Sequence, residues 1–61
     1  MMPEEHRKII TVIKDLVREA EENRTRWYEA GNVEQYNYCN ARIYALEEAI
    51  QVVYDLTYGE D

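Results

Sequence analysis

Two arginines, Arg24 and Arg42, stand on stripes of residues that are otherwise apolar, with Asn23, Trp27, Tyr36 and Asn40 close by in the pattern. A guanidinium offers a planar fork of donors that suits phosphate or carboxylate. Trp and Tyr offer stacking faces, and an asparagine amide both donates and accepts. Arg24, Trp27, Tyr36, Asn40 and Arg42 therefore form a candidate binding set for a small anionic, nucleotide-like ligand, placed where subunits would meet. A structural reading competes with it. Polar groups on apolar stripes destabilise a fold unless each finds a partner, and a hydrogen-bond network between subunits would fix register as a buried Asn does in a coiled coil. Residue type and spacing leave both open.

The remaining chemistry-bearing residues point away from catalysis. Cys39 is the single cysteine and has no His or Lys near it in sequence to activate the thiol, so packing is its expected role. His6, the single histidine, lies on a polar segment at the far end of the chain and is expected in water. Glu47, Glu48 and Asp55 lack the Glu-x-x-His partner of a di-iron bundle. There is no phosphate-cradling glycine loop and no Ser/His/Asp set. The expectation is a protein that is not an enzyme, with no metal and no cofactor.

Positioning falls to two helical patterns. From Ile9 a heptad runs through Ile13, Leu16, Ala20, Asn23, Trp27 and Ala30, broadened early by Ile10, Val12 and Val17. Pro3 suits the first turn of that helix, and Glu4 and Glu5 favour the positive end of its dipole. Helix 1 is expected over about 4–30, near 40 Å long. Gly31 fits the left-handed position that ends a helix, and Asn32 fits the N-cap of the next, with Gln35 placed to complete a capping box. A turn of only 31–32 makes the helices antiparallel neighbours.

Helix 2, expected over about 33–58, carries two apolar seams. One runs Tyr36, Cys39, Ile43, Leu46, Ile50 and Val53. The other runs Tyr38, Arg42, Ala45, Ala49, Val52 and Leu56. At about 100° per residue the seams lie roughly a third of a turn apart. The first faces helix 1, pairing Trp27 with Tyr36 and Asn23 with Asn40. The second has no partner within the chain and is the expected oligomer interface, small at Ala45 and Ala49. Tyr44, Tyr54 and Tyr58 lie on or beside a third face, where tyrosines either flank the hairpin seam with hydroxyls in water or form a partner-binding surface. The polar Gly59-Glu60-Asp61 follows helix 2.

Size points the same way. A chain of 61 residues is one domain at most, and a fold this small buries only about 60% of its unfolded surface. A single cysteine excludes an intrachain disulfide and no zinc pattern exists, which leaves oligomerisation as the usual route to stability.

The net charge is −6. Residues 1–30 hold six Lys/Arg against seven Asp/Glu, whereas residues 31–61 hold Arg42 alone against six acids. Such a surface repels phosphate backbones, so neither DNA nor RNA is an expected partner. The acidity serves solubility or, on a sharper reading, mimics the acidic ligand of a basic protein groove. No apolar run is long enough to span a membrane, and the N-terminus lacks the apolar core of a signal peptide. With one unpaired thiol, a cytoplasmic setting is expected.

In layout the chain resembles the small helical hairpins that sporulating bacteria use as aspartyl-phosphate phosphatases. Their Ser-Gln-Glu-Leu-Asp motif is replaced by Tyr44-Ala45-Leu46-Glu47-Glu48, so that activity does not carry over. The segment from Glu29 to Ile50, with its Gly-Asn turn, clustered tyrosines and the run Ala41-Arg42-Ile43-Tyr44-Ala45-Leu46-Glu47, is similar to small helical-hairpin proteins of bacteriophages. That resemblance implies an anti-defence accessory protein in the host cytoplasm. The class includes oligomeric sponges for cyclic nucleotide immune signals and direct inhibitors of proteins.

The expectation from sequence is an all-α chain, one αα-hairpin over 1–61, assembling into a four-helix bundle or a larger homo-oligomer. Its expected partners are itself and either a host protein or a small anionic nucleotide-like ligand. A third function class, a purely structural oligomerisation module, fits the same pattern.

Overall fold

The computed structural model describes residues 2–59 and contains two helices, α1 (Glu4–Glu29) and α2 (Val33–Tyr58), folded against each other as a hairpin. No strand occurs among the described residues. Met1, Glu60 and Asp61, including most of the polar tail after Tyr58, lie outside them.

Local chemistry sets the ends of both helices. Pro3 is the N-cap of α1 and sits just outside its first turn, with an extended backbone (φ −56°, ψ 148°) and its carbonyl accepting from Arg7 N–H at 3.1 Å. Its side chain cannot cap, which leaves Glu4 and Glu5 to complement the exposed N–H groups and the helix dipole.

At the other end Gly31 takes φ +73°, the left-handed region a Cβ disfavours. That conformation turns Gly31 N–H onto the Tyr28 carbonyl (3.1 Å) and Asn32 N–H onto the Trp27 carbonyl (2.9 Å). The pair of bonds is a Schellman closure. Asn32 then caps α2, its Oδ1 accepting from Gln35 N–H at 3.1 Å. The expected capping box is only half made, because Asn32 N–H is already committed to Trp27.

The helices meet along a narrow seam. Ile10, Ala20, Cys39 and Ile43 are the buried residues, and none of the larger side chains is fully enclosed. Leu16, Val17, Leu46, Ile50 and Val53 stay half-buried. Two antiparallel cylinders cannot wrap each other, so the larger side chains along the seam keep an open side.

At the end away from the turn, the His6 ring bonds the Thr57 hydroxyl. This differs from the expectation that His6 is solvated: the fold-back brings a hydroxyl from α2 to it and leaves the ring half-buried. The Thr57 hydroxyl also donates to the Val53 carbonyl at 2.8 Å, which ties the contact to the last turns of α2.

The resulting particle measures 47 × 17 × 10 Å and exposes 4912 Å². A compact monomer of 7.3 kDa would expose about 4,200 Å². The excess reflects the elongated shape of two helices lying side by side, which leaves most side chains in contact with water. No helix among the described residues is long and apolar enough to cross a membrane.

Candidate interaction surface

The seam between the helices divides the turn-proximal half of the hairpin into two flanks, and the candidate residues fall on both. On one flank Arg24, Thr25, Tyr28 and Tyr36 border a single depression. Arg24 donates from Nη1 to Asn40 Oδ1 at 2.9 Å, joining α1 to α2. Beside it the rings of Tyr28 and Tyr36 pack with centroids 5.7 Å apart and planes tilted by 49°, within the separation at which aromatic pairs attract.

On the other flank Trp27, Asn23, Tyr38, Arg42 and Glu19 border a second depression, floored by Ala20 and Cys39. Arg42 is exposed, and among the described residues it has neither hydrogen bond nor ion pair. The same holds for Glu19.

The five residues of the candidate ligand set therefore do not converge within one hairpin. Arg24, Tyr36 and Asn40 gather on the first flank, while Trp27 and Arg42 gather on the second. Trp27 and Tyr36 border one hollow at the turn, but the ring packing and the hydrogen bond across the seam fall to other residues. The ring opposite Tyr36 is Tyr28, and the group on Asn40 is Arg24. Tyr28 carries the aromatic contact expected of Trp27, and its place in the turn-proximal cluster was the one signal for it.

The Arg42 flank continues along the whole molecule. On α2 the stripe Tyr38, Arg42, Ala45, Ala49, Val52, Leu56 steps by four and three residues and so keeps to one side of the helix. Tyr38 is 62% exposed, Val52 51% and Leu56 62%; Ala45 is exposed and Ala49 half-buried. On α1, Ile9 shares a stripe with Leu16 and Asn23, and Val12 shares one with Glu19, each at seven-residue steps. Ile9 and Val12 are exposed. Antiparallel pairing sets Ile9 and Val12 level with Val52 and Leu56, and Trp27 level with Tyr38. One flank thus bears large apolar side chains at both ends and small ones in its middle, with Glu19 and Arg42 bordering the depression near the turn.

The tyrosine face lies elsewhere. Tyr44 is 72% exposed, Tyr58 is exposed and Tyr54 is half-buried. Tyr54 and Tyr58 stack at 6.3 Å with planes 15° apart, and Gln51 Nε2 donates to Asp55 Oδ1 at 3.0 Å on the neighbouring turn. Tyr44 stands away from that stack. Around the turn, Val33 is also exposed and borders a shallow hollow with Trp27, Tyr28 and Tyr36.

Cys39 is buried and unpaired. No group of three or more His, Cys, Asp or Glu among the described residues is arranged to hold a metal ion. Comparison of the chain with protein-family models, with curated proteins and with solved structures finds no match.

Proposed function

We propose that this chain is a non-enzymatic binding protein that works as a homodimer. The Tyr38–Leu56 flank closes on a second copy to complete a four-helix bundle, and the tyrosine face is left outward for a partner protein, in the manner of a small inhibitor or regulator. The supporting observation is the open flank itself. Five large apolar side chains (Ile9, Val12, Tyr38, Val52 and Leu56) are about half exposed or more along one side of a hairpin with four buried residues. Large apolar side chains left in water on one flank of so small a fold mark an interaction site.

The nucleotide-sponge alternative asks Arg24 and Arg42 to converge. Within one hairpin they border different depressions, so that reading depends entirely on how copies assemble.

Native mass spectrometry tests the proposal. The wild-type chain should appear as a dimer with no bound small molecule, and Val52→Glu with Leu56→Glu should remove the dimer signal. A dimer that survives the double substitution would mean that another surface mediates assembly.

A further inference from the structure

If the second copy covers the Arg42 flank, the two charges that border its depression, Glu19 and Arg42, lose their water and must be matched. From this we infer that Arg42 of each copy pairs with Glu19 of the other, a reciprocal clamp that sets the register of the dimer. The inference rests on the dimer proposed above and goes beyond it by assigning the pair.

Glu19 and Arg42 are the one acid and the one base lining this depression. They come from different helices, both are exposed, and the ion pairs among the described residues are Lys8–Glu4 and Arg18–Asp15, so neither charge is satisfied within the hairpin. Arg24 makes a useful contrast, because its hydrogen bond to Asn40 is internal.

A buried guanidinium without a carboxylate is heavily penalised, and a buried carboxylate without a cation equally so. An isologous interface repeats every contact: where Arg42 reaches the second copy's Glu19, that copy's Arg42 reaches the first copy's Glu19. Both charges on both chains are then neutralised by one arrangement. Sliding one copy along the other by a helical turn, about 5.4 Å, would carry the guanidinium away from Glu19. The same pair that closes the interface also excludes its shifted registers, the role like-charge and unpaired-charge penalties play in specific interfaces.

Two single variants, mixed, test the clamp. Arg42→Glu alone sets two introduced acids against two native ones, and Glu19→Arg alone sets two introduced bases against two native ones. Each should self-associate on the order of ten-fold more weakly than wild type. Both side chains are exposed in the hairpin, and circular dichroism checks that each chain keeps its helices.

Mixed together, the two variants satisfy every cross-pair, so native mass spectrometry should show heterodimer well above its statistical half. Glu22→Arg, an exposed position outside the depression, makes the same charge change and serves as the control partner for Arg42→Glu. Excess heterodimer with Glu19→Arg but not with Glu22→Arg supports the clamp. A statistical mixture in both cases, or equal excess in both, overturns the clamp while wild-type dimer persists. Wild-type chain that is monomeric removes the dimer and the clamp together.

Discussion

Arg24 and Arg42 lie on opposite flanks of the same turn-proximal half of the hairpin, and they differ in how their charge is met. Arg24 is half-buried, reaches Asn40 across the helix seam and has the Tyr28–Tyr36 ring pair beside it. Arg42 is exposed in a stripe whose other members are apolar, and among the described residues no side chain bonds it. A polar group on an apolar stripe can hold a fold together or can wait for something outside it, and residue type alone does not distinguish the two. The distinction lies in angle. Arg24 reaches across the seam to Asn40 of α2, while Arg42 borders an open depression without a bonded partner. The closed flank is therefore part of the monomer's stability and the open flank is where assembly should act.

That division can be broken most forcefully on the open side. Val52→Glu with Leu56→Glu would bury unpaired carboxylates in the proposed interface, at several kcal/mol per charge. Self-association should weaken at least about 100-fold, seen as loss of dimer in sedimentation velocity. Retained dimerisation would mean that the open flank is not the interface.

Next in size is the shared seam. Ile43 is 5% exposed, and Ile43→Ala should cost about 2–5 kcal/mol of stability. Thermal unfolding followed by circular dichroism would show it; an unchanged melting curve would mean that the seam is looser than the packing here indicates.

The two arginines give the sharpest contrast at smaller magnitude. Arg24→Ala removes one hydrogen bond between the helices and should cost about 0.5–1.5 kcal/mol of stability with dimerisation otherwise intact. Arg42→Ala should leave the hairpin's own stability within about 0.5 kcal/mol and change the dimer instead. Parallel denaturation and dilution series on both variants separate these outcomes, and identical behaviour would erase the distinction between flanks. Smallest of all should be Tyr44→Ala, within about 0.5 kcal/mol in stability, because its side chain is mostly in water. Its expected effect is on capture of a partner protein.

The hairpin was legible in the sequence because its signals are local. Gly31 needs a left-handed backbone, Asn32 can cap, and apolar residues recur at helical spacing on either side. The same periodicity separates the two seams of α2, since both follow from the angle per residue along one helix. Flank assignment in the turn-proximal cluster was harder. Pairing residues by their distance from the turn sets Trp27 opposite Tyr36 and Asn23 opposite Asn40, but it says nothing about which side of the seam each side chain leans to. Tyr28 and Arg24, one position further along α1, point to the flank that Tyr36 and Asn40 share. His6 illustrates the same limit: its polar surroundings in sequence conceal Thr57, which only the folded chain brings near.

The central claim is that the open flank is closed by a second copy of this chain. Sedimentation equilibrium of the wild-type protein over a micromolar dilution series tests it most directly. The account predicts a mass twice the 7.3 kDa of one chain, falling toward the single-chain value only on dilution. A helical particle of 7.3 kDa throughout the series would contradict it.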